Sequence, residues 1–226
     1  MILLIAGVLA CPCLGVVAMG LLQQAGVGVF KTPDSFANVL LGTLSFQGAA
    51  WVLIYLFLRY HEVDWRDAFG LRNPRLKPSL VLALGVLAVA LPVVLGLQQV
   101  SALVMEKLGW LPEGQEAVDL FIKNKSWWLR GYLAVFAMVL APVAEEFVFR
   151  GLLYPFLKQL GRPRLAWLGV SFLFAVIHAN LPTLLPLFIF ALLLTWLYEK
   201  TDCLLAPILA HSLFNTANLV ILLLQY

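Results

Sequence analysis

Two adjacent glutamates and an arginine lie in the middle of one of the most apolar stretches of the chain. Glu145 and Glu146 directly follow residues Leu140–Ala144, and Arg150 comes four residues after Glu146. If this stretch spans a membrane, each charge costs roughly 2.5–3.5 kcal/mol near the centre of the helix. Three such residues together indicate a catalytic or transport site inside a bundle of helices.

Helical spacing gives the two carboxylates different surroundings. Glu146 and Arg150 are at positions i and i+4, so they lie on one face of a helix and can form an ion pair. Glu145 points about 100° away from its neighbour, and we expect its carboxylate to lack that partner. A carboxyl group in this position is suited to accept a proton from water near neutral pH.

Pro142 lies one turn before Glu145. It removes a backbone donor and can kink the helix. The carbonyl groups released in this way need water or side-chain partners, which fits a wet cavity beside the carboxylates. Plain bending of the helix explains Pro142 equally well.

Two later apolar segments carry further polar side chains. His178 follows Phe174 by four residues, and His211 and Asn215 are again at positions i and i+4, with Asn218 on the same stripe. An imidazole and a carboxamide side by side can stabilise a developing negative charge, or they can hold neighbouring helices together. Each residue alone has a structural explanation, but their occurrence together on three apolar helices favours chemistry.

The composition indicates an integral membrane protein. Hydrophobic residues make up 62% of the 226 residues and charged residues 12%, about half the charged share of a soluble domain. The net charge of +3 is spread over loops, so binding of nucleic acid has little support. Cys11, Cys13 and Cys203 do not form a disulfide framework.

Seven apolar segments approach the length of about 20 residues that a membrane span needs. We therefore expect an all-α fold, a polytopic bundle of about seven (six to eight) transmembrane helices that forms a single domain over residues 1–226 and contains a buried polar site. The predicted spans lie near Ile2–Leu22, Val39–Leu58, Ser79–Leu97, Tyr132–Leu157, Leu165–Ala179, Leu184–Tyr198 and Leu204–Leu224. The fifth and sixth are short, at about 15 residues each, so they could be tilted or partly broken.

Basic residues in the loops favour a cytoplasmic N-terminus. Nine of them would lie on the side of the N-terminus and five, including Lys31, on the other side, and cytoplasmic loops carry the excess. We expect a multi-pass protein of a bacterial inner or plasma membrane.

Met105–Ser126 is the longest polar segment, and apolar residues recur in it at helical spacing. This pattern predicts an amphipathic helix at the membrane surface, anchored by Trp127 and Trp128. A substrate gate is the alternative interpretation of the segment.

Several common catalytic and nucleotide-binding motifs do not occur in the sequence. There is no His-Glu-x-x-His zinc helix and no Gly-x-Ser-x-Gly elbow around a serine nucleophile. There is also no phosphate-binding loop and no dinucleotide fingerprint. The polar residues described above therefore remain the candidates for chemistry.

Three ordered motifs resemble the CAAX prenyl protease type II family, also called the CPBP intramembrane metalloprotease or Abi family. Glu-Glu-x-x-x-Arg occupies residues 145–150, Phe-x-x-x-His residues 174–178 and His-x-x-x-Asn residues 211–215. Each motif alone is weak, but the ordered set is specific. The resemblance covers about residues 138–218 and implies an intramembrane endopeptidase.

The resemblance also implies a role for each motif residue. Glu145 would be the general base that activates water, and His178 would position or polarise that water. His211 and Asn215 would stabilise the tetrahedral oxyanion.

The resemblance also implies a supporting pair of residues, and it leaves the question of a metal ion open. Glu146 and Arg150 would form the pair that orients the helix. Glu145, His178 and His211 can supply two nitrogens and one oxygen for zinc or another divalent metal, with water in the open position. The glutamate can equally act on water without a metal, and we favour this because the usual zinc helix is absent.

An intramembrane endopeptidase acting on a peptide or membrane-protein substrate, lipid-modified or not, is the function we favour. A non-catalytic immunity or scaffold protein for bacteriocin self-protection is the alternative, and an ion or proton transporter fits less well because no internal repeat is visible. Five aromatic residues around the motifs could accept a lipid or an apolar peptide, although core packing explains them equally well: Phe147, Phe149, Phe172, Phe174 and Phe214.

Overall fold

The computed structural model describes residues 2–30, 36–111 and 116–225, and these ranges contain helices and turns but no strand. The predicted all-α class is therefore confirmed. The chain forms two compact units, Met1–Trp65 and Arg66–Tyr226, and the single domain stays a prediction.

The first unit consists of two helices that are long and apolar enough to cross a membrane. They are α1, Ile2–Gln24, and α2, Phe36–Tyr60. The two helices approach closely where α1 carries Gly15, because a Cβ atom added there would lie 2.4 Å from Cβ of Ser45. A small residue at such a crossing allows the helices to pack without a hydrophobic driving force from water.

The rest of the chain begins with a one-turn helix, α3, and continues with six further helices in the described residues. Their bounds are Trp65–Ala68 for α3, Leu76–Lys107 for α4, Glu116–Lys123 for α5, Trp127–Lys158 for α6, Pro163–Val176 for α7, Leu181–Thr201 for α8 and Leu205–Gln225 for α9. Within the described ranges, six helices qualify as candidate spans, namely α1, α2, α4, α6, α8 and α9, and α7 is a shorter apolar helix. The protein is thus a multi-pass integral membrane protein, whereas its orientation stays a prediction.

Four predicted spans have wrong bounds. The span predicted as Ser79–Leu97 continues to Lys107 in α4, and the span predicted as Tyr132–Leu157 already begins at Trp127 in α6. The predicted segment Leu184–Tyr198 is too short, because α8 runs for 21 residues. Pro182 is tolerated in its first turn, where a backbone N–H would have no partner, and Oδ1 of Asn180 accepts a hydrogen bond from the Thr183 N–H at 3.2 Å. The predicted segment Leu165–Ala179 is too long at its end, because α7 stops at Val176.

The amphipathic helix predicted within Met105–Ser126 is confirmed as α5, Glu116–Lys123, whereas its place at the membrane surface stays a prediction. The first residues of that segment extend α4 as far as Lys107, and α5 is a separate helix. Residues 112–115, like Lys31, lie outside the described residues. Trp127 and Trp128 are exposed, stack with ring centroids 3.8 Å apart and begin α6, so they lie at the end of a span, where aromatic anchors are common.

The core of the second unit lies between α4, α8 and α9. Alanines on α4 and α9 leave room for larger side chains of α8, so the three helices pack closely. The buried residues are Ala83, Val86, Ala90, Val94, Phe190, Leu194, Leu197, Ala206, Ala210 and Phe214.

The loop before α4 fixes the turn between α8 and α9. Nδ2 of Asn73 donates to the carbonyl oxygen of Thr201 at 2.7 Å. Gly70 has a φ of +66°, and a Cβ atom there would lie 2.4 Å from the carbonyl oxygen of Asp202. Only glycine fits both the backbone angle and the close approach.

Candidate active site

The helix that carries both glutamates is wound irregularly on either side of them. Two turns of α6, Phe136–Leu140 and Phe147–Leu153, have π geometry, and the α-helical segment Ala141–Glu146 lies between them. Single π turns of this kind are frequent at functional sites. The irregular winding changes the direction in which later side chains of α6 project.

Asn215 supplies a hydrogen bond that Pro142 cannot make. The Ala141 N–H donates to the carbonyl oxygen of Phe136, five residues earlier, so in the same register residue 142 would donate to the carbonyl oxygen of Ala137. Proline has no N–H, and Nδ2 of Asn215 donates to that oxygen instead, at 2.8 Å. The expectation that Pro142 releases a carbonyl group in need of a partner is confirmed.

Glu146 and Arg150 form the predicted ion pair. Nη1 of Arg150 donates to Oε1 of Glu146 at 2.8 Å, and both side chains are 0% exposed. The guanidinium also donates to Oγ1 of Thr195 at 3.2 Å and to the carbonyl oxygen of Ala191 at 3.0 Å. Its carbon lies 4.8 Å from the centre of the Phe174 ring. Removing one member would leave a buried charge without compensation.

His211 joins this pair from α9. Its Nδ1 atom lies 2.8 Å from Oε1 of Glu146, the same oxygen that Arg150 contacts. Because an ionised carboxylate only accepts hydrogen bonds, Nδ1 carries the hydrogen. The imidazole is buried and its edge contacts are with the rings of Phe174 and Phe190. Oε2 of Glu146 is buried and has no hydrogen-bond partner among the described residues.

Glu145 lies beside the pair without joining it. Its Oε2 atom is 3.9 Å from Nε2 of His211, too far for a direct hydrogen bond. Its side chain is 13% exposed, whereas that of Glu146 is fully buried. The expectation that Glu145 lacks the guanidinium partner is therefore confirmed.

His178 lies in the turn that follows α7 and not on a helix, contrary to the prediction. Its Nδ1 atom is 2.7 Å from the carbonyl oxygen of Phe174. A carbonyl oxygen only accepts, so Nδ1 carries the hydrogen and Nε2 of the neutral ring is an acceptor. The Phe174 ring contacts both histidines, with centroids 4.9 Å from His178 and 5.7 Å from His211, so this aromatic residue positions the two imidazoles.

The predicted metal ligands are not gathered into a metal site. Within the described part of the chain, no three His, Cys, Asp or Glu side chains are placed to hold a metal ion. The set Glu145, His178 and His211 therefore does not fit a metal in this arrangement, and its use as ligands stays a prediction.

Sequence reasoning missed Thr195. Its hydroxyl donates to the carbonyl oxygen of Ala191 at 2.9 Å, accepts from Arg150 and lies 3.5 Å from Oγ of Ser171. Thr195 and Ser171 are fully buried. A lone threonine inside the apolar segment Leu184–Tyr198 is the signal that could have found it, because a buried hydroxyl needs a partner.

Core packing accounts for four of the five aromatic residues around the motifs. Phe147, Phe149, Phe174 and Phe214 are buried, whereas Phe172 is 54% exposed. The exposed ring of Phe172 contacts Phe188, with centroids 6.1 Å apart. Among the five, only Phe172 offers a surface to a lipid or an apolar peptide.

Asn218 has a structural role. Its Nδ2 atom donates to the carbonyl oxygen of Phe214, one turn earlier on α9, at 2.9 Å. His211 and Asn215, in contrast, contact α6. The site is therefore held by α6 and α9, with α7 and α8 supporting it.

The fold and this site define a multi-pass membrane protein with a buried, polar, carboxylate-containing centre. Residues 126–217 match the model of a family described as type II CAAX prenyl endopeptidase Rce1-like. The resemblance drawn from the three motifs is confirmed, and the matched range contains every motif residue.

A curated relative is similar over a shorter region. It is the Bacillus subtilis (strain 168) protein named "Putative membrane peptidase YdiL", which is 29% identical over 84 residues, 37% of this chain and 34% of that protein. The match thus spans about a third of the length of that relative. No solved structure matches the chain.

Proposed function

We propose that the protein is an integral-membrane endopeptidase that hydrolyses a peptide bond with a water molecule activated by Glu145. One observation carries this proposal: of two adjacent carboxylates, Glu146 is fully buried and bonded to Arg150 and His211, whereas Glu145 is partly accessible and has no hydrogen bond to any described residue. The similarity to a family of prenyl endopeptidases supports it.

In the proposed reaction, Glu145 is the general base. A water molecule hydrogen-bonded to its carboxylate attacks the carbonyl carbon of the scissile bond, and one water proton passes to Glu145. Glu145 then gives this proton to the leaving amine when the carbon–nitrogen bond breaks. Nε2 of His178, an acceptor in the tautomer that the Phe174 contact requires, would orient the water by accepting its second hydrogen.

His211 and Asn215 would stabilise the oxyanion. Because Nδ1–H of His211 stays on Glu146, donation to an oxyanion would require a hydrogen on Nε2 as well, in the doubly protonated ring. Nε2 lies 3.9 Å from Oε2 of Glu145, so the two groups can contact the two oxygen atoms of one tetrahedral intermediate. One amide hydrogen of Asn215 is donated to the carbonyl oxygen of Ala137, and the second would be available to the oxyanion.

The proposed substrate is a peptide or a membrane protein, with or without a lipid modification. The carboxylates lie in the middle of a candidate span, about 20 residues after its start at Trp127. A scissile bond must therefore reach the interior of the bundle.

The direct test is cleavage by purified protein in detergent. Wild type, Glu145→Gln and the control Glu106→Gln, which changes an exposed carboxyl group near the end of α4, are incubated with fluorogenic and lipid-linked peptides, with and without a chelator. We expect cleavage by wild type and Glu106→Gln and none by Glu145→Gln, with no effect of the chelator.

Equal cleavage by wild type and Glu145→Gln would refute the mechanism. Loss of activity on chelation, restored by one divalent metal, would show that a metal is required. Absence of cleavage by wild-type protein that is folded would favour the non-catalytic immunity or scaffold function, in which the buried polar groups only hold α6, α8 and α9 together.

A further inference from the structure

A polar cavity lies where α6 and α8 end. It has a volume of about 300 Å³ and is lined by Tyr154, Pro155, Lys158, Tyr198, Glu199 and Asp202. Tyr154 comes eight residues after Glu146 on the same helix, a rise of roughly 12 Å. None of the residues that line this cavity belongs to the candidate active site.

Each carboxylate oxygen of Glu199 accepts a hydrogen bond from α6. The hydroxyl of Tyr154 donates to Oε2 at 2.8 Å, and Nζ of Lys158 donates to Oε1. The charges of Lys158 and Glu199 therefore compensate each other, and these bonds join the ends of the two helices.

Asp202 adds a second, exposed carboxylate to the lining of the cavity. It follows the last residue of α8 with a φ of +47°, and its N–H donates to the carbonyl oxygen of Tyr198 at 2.8 Å. Among the described residues, neither the Asp202 carboxylate nor the Tyr198 hydroxyl has a hydrogen-bond partner. The end of a helix adds partial negative charge, so the site favours a cation that carries hydrogen-bond donors.

The position of the cavity indicates a lipid as the source of this cation. α6 and α8 are candidate spans, so their ends mark the boundary between lipid and water. Tyrosines are frequent at this level, and basic residues follow nearby in the sequence, namely Arg162 and Lys200.

We propose that this cavity binds the headgroup of phosphatidylethanolamine. Its primary ammonium would donate to the Asp202 carboxylate and the Tyr198 hydroxyl, and its phosphate, two carbons away, would lie toward Lys158, the basic residue of the lining. A zwitterionic headgroup matches a cavity whose lining contains both carboxylates and the ammonium group of Lys158. This proposal is independent of the peptidase function.

Native mass spectrometry of the detergent-purified full chain tests the proposal. The probes are short-chain phosphatidylethanolamine, phosphatidylcholine and phosphatidylglycerol at equal concentrations. The headgroup of phosphatidylcholine has the same positive charge and the same phosphate as that of phosphatidylethanolamine, but it has no N–H donor. We expect phosphatidylethanolamine to bind about tenfold more tightly than phosphatidylcholine, because charge-assisted hydrogen bonds are lost in the latter.

Asp202→Asn is the informative variant. Asparagine tolerates the left-handed backbone of this position, so the substitution removes only the charge of the side chain. We expect it to abolish the preference for phosphatidylethanolamine, and Tyr198→Phe to reduce it. Asp119→Asn, which changes an exposed carboxylate paired with Lys123 on α5, should leave the preference unchanged.

Three results would overturn the proposal. The first is equal binding of phosphatidylethanolamine and phosphatidylcholine by wild type. The second is a preference for phosphatidylethanolamine that survives in folded Asp202→Asn. The third is a preference for phosphatidylglycerol, which would indicate that the basic residues bind an anionic headgroup.

Discussion

Nδ1 of His211 lies 2.8 Å from Oε1 of Glu146, which joins α9 to α6 through a buried hydrogen bond between residues 65 positions apart. The same oxygen accepts from Arg150. Because Oε1 accepts from both donors and Oε2 is fully buried, this carboxylate is poorly placed to accept a proton from water. The adjacent Glu145 has neither contact, so we assign the structural support to Glu146 and propose the chemistry for Glu145.

Replacement of Glu145 should affect activity and not stability. We expect Glu145→Gln to reduce the cleavage rate by about 10²–10⁴-fold, the usual contribution of a general base. The unfolding temperature in detergent should stay close to that of wild type, because no hydrogen bond to Glu145 is lost. A large fall in the unfolding temperature would instead assign a structural role to Glu145.

Replacement of Glu146 should affect stability. Glu146→Gln leaves the fully buried Arg150 without its counter-charge, which we expect to cost about 3–5 kcal/mol of unfolding free energy. Equilibrium denaturation in detergent measures this value, with Glu145→Gln as the matched control. The double variant Glu146→Gln/Arg150→Met should recover part of the loss, and a double variant no more stable than Glu146→Gln would contradict the explanation.

A single substitution can separate the roles of the two ring nitrogens of His178. His178→Asn retains a donor near the position of Nδ1, so the contact with the carbonyl oxygen of Phe174 can persist, but it removes Nε2. We expect loss of cleavage with a nearly unchanged unfolding temperature. Wild-type activity in His178→Asn would show that Nε2 takes no part in the reaction.

Pro142 and Asn215 should be energetically coupled. Pro142→Ala restores a backbone N–H that can donate to the carbonyl oxygen of Ala137, the acceptor that Asn215 now contacts. Asn215→Leu should therefore cost about 1 kcal/mol less in the Pro142→Ala background than in wild type. A double-mutant cycle measured by denaturation checks this value, and strictly additive effects would disprove the coupling.

Gly151 should not tolerate a side chain. A Cβ atom there would lie 2.6 Å from Cε1 of Phe69, so we expect Gly151→Ala to cost about 1–3 kcal/mol through overpacking. Phe69→Leu should recover part of this loss. Gly169→Ala on α7, where nothing lies within 4 Å of the added atom, is the control and should be neutral or stabilising, because alanine favours helices.

The spans could be predicted because hydropathy and length act locally along the chain. The bounds of α8 were wrong because Pro182 and Asn180 begin a helix by capping, which average hydropathy does not detect. The prediction that His178 lies on a helix was wrong because α7 ends about one turn before the end of the apolar segment Leu165–Ala179. The π turns of α6 have no clear hydropathy pattern, and they shift which side chains share a face.

The sequence by itself determined the membrane class, the three motifs and the i, i+4 pairing of Glu146 with Arg150, because these depend on composition and on spacing along one helix. Only the tertiary structure decided that His211 contacts Glu146 and that Asn215 contacts Ala137. It also decided that Thr195 supports Arg150. These contacts join helices far apart in sequence, so they depend on how the helices pack and rotate against one another.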